Sequence, residues 1–381
     1  MPSTNRFHTF TVVDYRTGNK YTYTVPKRYT NLKFISGGSQ GTVVSADDVV
    51  EKRKVAIKKM HQPFYNTMSA KRAHREFVLL SSIKHPNIIE TFSVFTPQET
   101  KENFTDVYLV MEFMQMNLHQ AIETFRLDHK TLSFFIYQIL CAVNHLHREG
   151  IIHRDLKPSN IVVDAKCNLK VLDFGLARLI SSAGDRMTTY VVTRYYRAPE
   201  VVLGLQYSEK ADVWSIGCIF AEIINQQVLF PGKNSVNQWF EIIKTLGTPS
   251  EEFMAQLPES IQKQVRGLPV EAGHSIEELL PDRNFLAHSE CERAHLTASD
   301  ARRLSSKMLT YDPNERYSVK QALQDPYVRM WFKDEETNAP LSNTRYNWDA
   351  AEAESSLTKL NTLIFDEIKQ FESNHDVFGG L

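Results

Sequence analysis

The sequence predicts an α+β protein with two lobes, the first rich in strands and the second helical. Alternating and β-branched runs dominate roughly the first 60 residues, whereas apolar residues recur with helical spacing from about residue 130 onward. The length of 381 residues suits one large domain of two lobes or two ordinary domains. Strands collected in one part and helices in the other are typical of the α+β class, and we expect a ligand cleft between the lobes.

The individual elements follow from the period of the apolar residues. Four strands are predicted from alternating or β-branched runs: 10–13, 21–25, 55–58 and 107–112. Four helices are predicted from helical spacing: 67–84, 131–149, 212–224 and 350–371. Thr67 or Ser69 is expected to cap the first helix, and Gly150 is expected to end the second. The third helix is apolar nearly all round, so we expect it to be buried.

The C-terminal part of the chain is expected to pack back on the body of the protein. Leu357, Leu360 and Ile364 share one face of the last predicted helix, which therefore needs an apolar surface to cover it. The polar segment 333–349 contains Pro340 and is expected to be an extended linker.

Composition limits the classes of partner. The formal net charge is −1, so no global basic field attracts nucleic acid or an anionic membrane, and we expect neither as a direct partner. The four cysteines form no CxxC pair, which argues against a disulfide framework or a zinc ribbon and favours a reducing compartment. No signal-peptide region opens the chain, and its apolar stretches are too short to span a bilayer. We therefore expect a location in the cytoplasm and also in the nucleus.

The most informative stretch reads His-Arg-Asp-Leu-Lys-Pro-Ser-Asn over 153–160, and an Asp-Phe-Gly tripeptide begins downstream at Asp173. Phosphoryl transfer needs an aligned hydroxyl and cations that neutralise the phosphates. Asp155 can accept or orient the hydroxyl proton, and Lys157 can meet the transferring phosphoryl group. Asn160 and Asp173 supply the oxygen ligands that magnesium prefers. A polar loop whose side chains only cap turns is the alternative for either motif alone; both motifs in this order favour phosphoryl-transfer catalysis.

A lysine and a glutamate upstream complete this set. Val-Ala-Ile-Lys over 55–58 predicts a strand that carries Lys58, which would reach the α- and β-phosphates of ATP. Glu76 lies close to the apolar face of the first predicted helix, beside Ala73 and Leu80. A carboxylate there is costly unless it is paired, and Lys58 is the natural partner. A solvated surface pair is the alternative for Glu76 taken alone.

A glycine-rich segment precedes this strand. It consists of Ile35, Ser36, Gly37, Gly38, Ser39, Gln40, Gly41, Thr42 and Val43. Such loops let backbone amides approach phosphates closely, although glycine clusters by themselves are more often turns. Ser36 stands where the first glycine of G-x-G-x-x-G is expected, and Gly38 and Gly41 supply the other two. We expect ATP to bind all the same, with lower affinity.

With these motifs the chain resembles the mitogen-activated protein kinases, and it is most similar to their c-Jun N-terminal kinase subfamily. The segment 187–200 looks like the activation segment of that family, with Thr188 and Tyr190 as its T-x-Y pair. Further matching pieces lie at 71–76, 107–112, 148–163 and 190–201. The likeness runs from about Phe7 to the terminal helix and covers nearly the whole chain.

The resemblance implies the bilobal protein kinase fold with ATP in the cleft. It divides the chain into an N-terminal strand extension over 1–28, a protein kinase domain over 29–328 and a C-terminal extension with a helix over 329–381. Within the kinase domain the first lobe would end at about residue 111 and the second would begin at about residue 115.

The resemblance also implies the residues of the ATP site, which come from both lobes. Besides the glycine-rich segment these are Ala56, Lys58, Met111, Glu112, Met114, Asn117, Val162 and Leu172. The catalytic residues that it implies are Lys58, Glu76, Asp155, Lys157 and Thr193. The implied cofactors are ATP and Mg²⁺, with Asn160 and Asp173 as metal ligands. Glu200 and Arg316 would form a structural ion pair.

A serine/threonine kinase directed to Ser/Thr-Pro sites in a stress-signalling cascade is the activity that the resemblance implies. Dual phosphorylation of Thr188 and Tyr190 by an upstream dual-specificity MAP kinase kinase would activate it. Arginines would receive the two phosphates: Arg72, Arg75, Arg154 and Arg178 for phospho-Thr188, and Arg194 and Arg197 for phospho-Tyr190. Solvated surface charge is the alternative for each arginine taken singly.

Docking partners would include protein substrates such as transcription factors, docking-motif peptides and phosphatases. Asp334, Glu335 and Glu336 would attract their basic motifs, although Lys333 replaces the first acid of the family pattern. Thr189 stands where close relatives have proline, which leaves the upstream kinase open. Two alternatives to an active stress-type MAP kinase are a catalytically silent scaffold with the same fold and a member of a neighbouring MAP kinase subfamily.

Overall fold

The computed structural model describes residues 6–38, 40–180, 193–286, 295–342 and 348–380. The chain divides into two compact units. The first comprises residues 1–84, 89–114 and 342–381, and the second comprises residues 85–88 and 115–341. Strands dominate the first unit and helices the second, so the predicted α+β class is confirmed.

The strands are β1 Phe7–Val13, β2 Lys20–Pro26, β3 Tyr29–Gly38, β4 Gly41–Asp48, β5 Arg53–Met60, β6 Thr91–Phe95, β7 Tyr108–Glu112, β8 Met116–Asn117, β9 Ile151–Ile152, β10 Ile161–Val163, β11 Leu169–Val171 and β12 Arg178–Leu179. The helices are α1 Thr67–Ser82, α2 Leu118–Thr124, α3 His129–Arg148, α4 Pro199–Val202, α5 Lys210–Asn225, α6 Ser235–Leu246, α7 Glu251–Ala255, α8 Glu259–Arg266, α9 Ile276–Leu279, α10 Ala298–Met308, α11 Val319–Leu323, α12 Pro326–Arg329, α13 Asp334–Thr337, α14 Trp348–Ala353 and α15 Leu357–Asn374.

An antiparallel sheet forms the framework of the first unit. Its five strands have the order β3-β4-β5-β7-β6, and β1 and β2 form a separate hairpin. Residues of both sheets meet in one apolar core, where Tyr23, Ile57 and Val110 are fully buried. Val377, from the C-terminal end of the chain, belongs to the same core. The C-terminal residues are therefore a structural part of the first unit.

Helix α1 begins at Thr67, as predicted, and ends at Ser82, two residues before the predicted end, but its N-cap is not one of the expected residues. Asn66 is its N-cap, because the Asn66 side chain accepts a hydrogen bond from the backbone amide of Ser69 at 2.8 Å. The prediction that Thr67 or Ser69 caps the helix is therefore wrong. Asparagine, serine and threonine all cap helices well, and local sequence does not decide between neighbouring candidates.

The second unit is built around helices α3 and α5. Asp128 caps α3 by accepting from the amide of Thr131 at 2.8 Å, and Gly150 follows the helix with a φ of 76°, as a glycine at this position can. Helix α5 is buried along nearly its whole length, as expected. Of the part of the chain that is described, no helix combines the length and the apolar character needed to cross a membrane.

The predicted ion pair of Glu200 and Arg316 is present in this unit. Arg316 donates to both carboxylate oxygens of Glu200, at 2.7 and 2.9 Å, and both side chains are buried. Its remaining donors reach backbone carbonyls, among them those of Thr310 and Lys210. These bonds satisfy a charge that would be costly to bury alone.

The C-terminal part differs from the prediction in two places. The single helix predicted over 350–371 is two helices, α14 and α15, and Ser356 caps the second. The polar segment 333–349 is not wholly extended, because it contains α13 and the start of α14; residues 343–347 lie outside the described residues. Leu360, Ile364 and Ile368 of α15 are buried within the first unit, so the expectation that the tail packs back is confirmed.

A buried histidine in the second unit predicts how stability depends on pH. His145 of α3 is inaccessible to solvent, and within the described residues neither ring nitrogen has a hydrogen-bond partner. Burial, the neighbouring ring of His85 and the charge of Arg148 lower the pKa of His145 from 6.5 to about 4. The unfolded chain therefore binds a proton between these two pH values that the folded chain does not bind.

We expect the contribution of His145 to stability to be complete above pH 6.5 and to be lost as the pH falls toward 4. Between pH 7 and pH 5 the loss amounts to about 1–2 kcal/mol. Denaturant titrations at both pH values measure it, and His145→Asn is expected to flatten the difference. The surface variant His274→Asn is expected to lose as much free energy of unfolding between pH 7 and pH 5 as the wild type, because His145 is intact. The same loss of free energy of unfolding between pH 7 and pH 5 in both variants would contradict the prediction.

Candidate active site

The predicted catalytic loop, residues 153–160, is held at both ends by short strands of the second unit. It leaves β9, which pairs with β12, and enters β10, which lies between β8 and β11. Residues Pro158–Asn160 close the loop with one turn of 3-10 helix. Leu172, directly after β11, donates its amide to the carbonyl of Asn160 at 3.0 Å. The loop and the Asp173 segment are thus fixed to each other through the backbone.

Asp155 lies at the centre of the loop with its carboxylate held by two neighbours. Lys157 Nζ donates to Asp155 Oδ2 at 2.8 Å, and Asn160 Nδ2 donates to the same oxygen at 2.9 Å. Asn160 Nδ2 also reaches the backbone carbonyl of Asp155 at 2.9 Å. Burial raises the pKa of Asp155 against the opposing charge of Lys157, and the nearby Asp173 adds to the increase. The sequence motif therefore folds into one hydrogen-bonded group.

A second carboxylate, Asp212 of α5, holds the backbone at the start of this loop. Asp212 Oδ2 accepts from the amide of His153 and from His147 Nε2, and Asp212 Oδ1 accepts from the amide of Arg154, all at 2.9 Å. Complete burial by itself would raise the pKa of Asp212, but the hydrogen bond and the charge of His147 hold that pKa below its ordinary value. Asp212 is not among the residues predicted from the sequence motifs. The signal was present, since Asp212 is a carboxylate in a helix otherwise expected to be buried and apolar.

Asp173 is buried and has a left-handed backbone conformation. Its φ is 72°, in the left-handed region that residues other than glycine rarely adopt. The following Phe174 is fully buried, with its ring centroid 5.2 Å from that of His153. His153 in turn donates from Nε2 to the carbonyl of Leu172 at 3.2 Å. These contacts on both sides fix Asp173 in its strained conformation.

The oxygen atoms of Asn160 and Asp173 fit a magnesium ion. Both hydrogen bonds of Asn160 to Asp155 use Nδ2, which leaves Oδ1 as the atom that can ligate a cation. Asp173 adds a carboxylate, and one amide and one carboxylate are hard oxygen donors of the kind magnesium prefers. Two protein ligands suffice where phosphate oxygens and water complete the coordination.

In the first unit, Lys58 and Glu76 form the predicted ion pair. Lys58 lies on β5 and Glu76 on α1, and Lys58 Nζ donates to Glu76 Oε1. Both side chains are buried. Ala56 and Met111, which are also predicted ATP-site residues, are direct partners on adjacent strands β5 and β7. Lys58 thus lies on the same strand as Ala56, two residues from that predicted ATP-site residue.

The glycine-rich segment forms the turn between β3 and β4. Gly38 pairs with Gly41, and Ser39 between them lies outside the described residues. Gly41 has a φ of 153°, and a Cβ atom there would lie 2.3 Å from the carbonyl oxygen of Lys59. This position therefore requires glycine. Ser36, by contrast, pairs with Val43 in the strand and does not have a positive φ.

The other predicted ATP-site residues are distributed over both units. Glu112 ends β7 and accepts from the amide of Glu90 at 2.8 Å. Met114 is half-buried at the last position of the first unit before the second begins. In the second unit Asn117 pairs with Val162 across β8 and β10, and Leu172 is half-buried. Ile35 and Gly37 are exposed, while Gln40 is half-buried and Thr42 is buried.

The proposed phosphate acceptors Thr188 and Tyr190 lie outside the described residues. Thr193, the first described residue after them, is exposed. Arg197 is buried, and burial together with the charge of Arg194 lowers its pKa. An anion between these two arginines would relieve that repulsion.

The arginines assigned to phospho-Thr188 differ in their surroundings. Arg154 has a φ of 69° and its guanidinium lies 5.0 Å from the centre of the Tyr207 ring, and Arg178 lies on β12. Arg72 is half-buried on α1. Arg75 is only 2% exposed and ion-pairs with Glu352 of α14. In this structure its charge is neutralised within the first unit, and its assignment to phospho-Thr188 stays a prediction.

The predicted docking acids are not equivalent. Asp334 and Glu335 are exposed, whereas Glu336 is half-buried. Glu336 pairs with Lys333 Nζ at 2.8 Å and accepts from the hydroxyl of Tyr137 at 3.1 Å. Lys333 therefore offsets one of the three acids, and the charge available to a basic peptide resides mainly on the other two.

Comparisons with known proteins agree with this geometry. The chain matches the protein kinase domain family over residues 29–328. It is 56% identical over 377 residues to GLH-binding kinase 1 of Caenorhabditis elegans, covering 99% of this chain and 97% of that protein. It is 47% identical over 353 residues to the stress-activated protein kinase JNK of Drosophila melanogaster, covering 93% and 94%, respectively.

The chain therefore belongs to the protein kinase family, and it is a serine/threonine kinase with the bilobal fold of that family. Within the family it is a mitogen-activated protein kinase of the c-Jun N-terminal kinase type. The resemblance, the kinase fold and the enzyme class predicted from the sequence are confirmed. Members of the protein kinase family use ATP and Mg²⁺ and act on protein substrates. In the mitogen-activated branch they are activated by an upstream kinase.

The role of Asp212 leads to a prediction. Asp212→Asn replaces one acceptor by an amide that faces backbone donors, so the amides of His153 and Arg154 cannot both remain satisfied. We expect the free energy of unfolding to fall by about 2–4 kcal/mol, together with a loss of kcat. Denaturant titration and a peptide-kinase assay measure the two effects. The control is Glu209→Gln directly before the same helix, which is expected to change neither; a stable and fully active Asp212→Asn would disprove the assignment.

Proposed function

We propose that this kinase transfers the γ-phosphate of ATP to Ser/Thr-Pro sites in a stress-type MAP kinase cascade and is activated by phosphorylation of Thr188 and Tyr190. The observation that supports the reaction best is the group formed by Asp155, Lys157 and Asn160. One buried carboxylate oxygen there receives both an ammonium and an amide donor. Such an arrangement holds the carboxylate in a single orientation before any substrate binds.

Each residue of the site has a distinct part in this proposal. Asp155 orients the substrate hydroxyl and accepts its proton, for which the raised pKa suits it better than that of an exposed aspartate. Lys157 stabilises negative charge on the transferring group, and Lys58, oriented by Glu76, holds the α- and β-phosphates. Asn160 and Asp173 would hold magnesium. Bound Mg·ATP supplies the phosphoryl group and the cation that neutralises its charge.

Activation by dual phosphorylation is supported by two arginines in the second half of the predicted activation segment. Arg194 and Arg197 are close enough for the charge of one to lower the pKa of the other. A phosphate on Tyr190 would remove this repulsion, and each new charge-assisted hydrogen bond would help to order the segment that carries Thr193. The candidates for the phosphate on Thr188 are Arg72, Arg75, Arg154 and Arg178; Arg75 would have to exchange its contact with Glu352 for the phosphate.

Partners and location follow the same proposal. An upstream dual-specificity MAP kinase kinase would phosphorylate Thr188 and Tyr190, and transcription factors are the kind of substrate we expect. Basic docking motifs of substrates and phosphatases would bind at Asp334 and Glu335, with Glu336 in a smaller role because it pairs with Lys333. Residence in the cytoplasm and the nucleus would give access to both groups of partners.

Removal of the Asp155 carboxylate tests the reaction. We expect Asp155→Asn, after activation by an upstream kinase, to lower kcat on a Ser-Pro peptide on the order of 10²- to 10⁴-fold, as loss of a general base does. The matched control is Asp164→Asn, since Asp164 only caps the exposed β10–β11 turn through the amides of Lys166 and Asn168. Transfer is measured with radiolabelled ATP and excess Mg²⁺, and chelation of the magnesium should abolish it.

The same assay separates the proposed activity from the alternatives. A Ser-Ala peptide in place of Ser-Pro should be a much poorer substrate. Equal transfer by wild type and Asp155→Asn would rule out the catalytic role, and absence of transfer by the activated wild type would favour the scaffold.

The activation mechanism is tested by removing the two hydroxyl groups separately. Thr188→Ala and Tyr190→Phe are each expected to lower kcat/KM at least about tenfold, because each loses the phosphate that orders the segment. Peptide mapping by mass spectrometry establishes which site is phosphorylated in each variant. Thr189→Ala is the control, since it keeps both acceptors. Full activity of either single variant would limit activation to one phosphate.

A further inference from the structure

The C-terminal extension holds one face of helix α1. Glu352 of α14 accepts from two residues of that helix, with its carboxylate from Arg75 Nη2 and with its backbone carbonyl from Lys71 Nζ. The guanidinium of Arg75 also lies 5.8 Å from the centre of the Trp348 ring, and Trp348 is buried. Helix α14 is thus fixed on α1 by charge and by packing together.

A second carboxylate acts on the same face. Glu367 Oε2 lies 2.6 Å from Nε2 of His74, whose side chain is buried. We refer to Glu352 and Glu367 as the carboxylate clasp. The residues that it contacts, at positions 71, 74 and 75, are spaced i, i+3 and i+4, so they lie together on one turn of the helix.

The clasp is positioned to control the orientation of Glu76. Glu76 directly follows Arg75, and consecutive residues of an α-helix are separated by a fixed rotation of about 100°. The contacts at 74 and 75 therefore fix the direction in which Glu76 leaves the helix. Because Arg75 is buried, loss of the Glu352 carboxylate would leave its guanidinium without that opposite charge away from water, which is costly and favours a shift of α1.

The extension that carries the clasp is itself fastened to the sheet. Glu372 of α15 accepts from the backbone amide of Thr96 at 3.0 Å, and the Phe365 ring packs edge-on against Phe104. Val377 lies in the core of the unit. The clasp thus connects α1 to a segment that is also anchored to the sheet and to the core of the unit.

We propose that Glu352 and Glu367 are positioning residues for phosphoryl transfer: through Lys71, His74 and Arg75 they hold α1 where Glu76 meets Lys58. This inference rests on the proposed function of the Lys58–Glu76 pair. It assigns a catalytic consequence to a segment outside the part of the chain that matches the kinase family.

The experiment compares Glu352→Gln/Glu367→Gln with the control Asp366→Asn in the full-length kinase. Asp366 lies on α15 beside Glu367, but it pairs with the exposed Lys101 and not with α1. All proteins are phosphorylated to the same stoichiometry by an upstream kinase, as checked by mass spectrometry. The double variant is expected to lower kcat about tenfold with little change in KM for the peptide, and the control to stay within about twofold of wild type.

Coupling to Glu76 separates positioning from general destabilisation. In a Glu76→Gln background the clasp variant should cause no further loss of kcat beyond about twofold, because the group that it positions is gone. Hydrogen exchange should accelerate in α1 of the clasp variant and not in the control. An undiminished kcat, or the same fold loss in both backgrounds, would overturn the proposal.

Two further results are also decisive. If the glutamine variants do not fold, Glu352→Asp/Glu367→Asp carries the test, since it keeps both charges and shortens both side chains; normal kcat in that protein overturns the proposal. An activated wild type without transferase activity, by contrast, would refute the proposed function and would be seen before any clasp variant is compared.

Discussion

The carboxylate of Asp212 is the interaction on which the geometry of the second unit depends. It accepts the backbone amides of His153 and Arg154, and the second of these residues has a φ of 69°. A left-handed conformation costs a residue other than glycine on the order of 1 kcal/mol, and it persists only where the surroundings compensate. The hydrogen bond to the amide of Arg154 provides that compensation. Since Asp155 is the next residue, a buried side chain of a distant helix determines where the proposed catalytic carboxylate lies.

In the first unit the Lys58–Glu76 pair must also be held in position, but its two residues are held by different kinds of contact. A buried lysine–glutamate pair loses much of its Coulomb attraction to desolvation, so its geometry is stable only if both partners are held from outside the pair. Strand β5 holds Lys58 through its two neighbouring strands. Helix α1 has no such ladder, because a helix satisfies its own backbone. Its position must come from side-chain contacts, and the C-terminal extension provides a set of these along one turn.

Whether a contact of the site could be predicted depends on how far apart its residues lie in the sequence and on whether a buried charge signals the partner. The catalytic motifs are local, so the order of Asp155, Asn160 and Asp173 along the chain was sufficient to bring them to one site. The Lys58–Glu76 pair was also accessible, since a carboxylate on an apolar helix face needs a cation. Glu352 could not be found in this way, because it lies 277 residues from Arg75, and the apolar spacing of the predicted C-terminal helix does not indicate which cation a polar residue of that helix meets. Asp212 was within reach of the same reasoning about buried charge and was missed because only the apolar pattern of its helix was considered.

In the glycine-rich turn, only some positions of the G-x-G-x-x-G pattern require glycine for the backbone to fit. Glycine is obligatory at Gly41, where any Cβ would overlap the carbonyl of Lys59. At Ser36 the backbone pairs with Val43 directly after a register shift in the β3–β4 ladder, and a serine fits there without a left-handed φ. Departure from the G-x-G-x-x-G pattern at Ser36 therefore leaves the fold of the first unit intact. Compared with glycine, the serine adds a hydroxyl group and restricts the backbone, and these are the two ways in which it could alter the predicted binding of ATP.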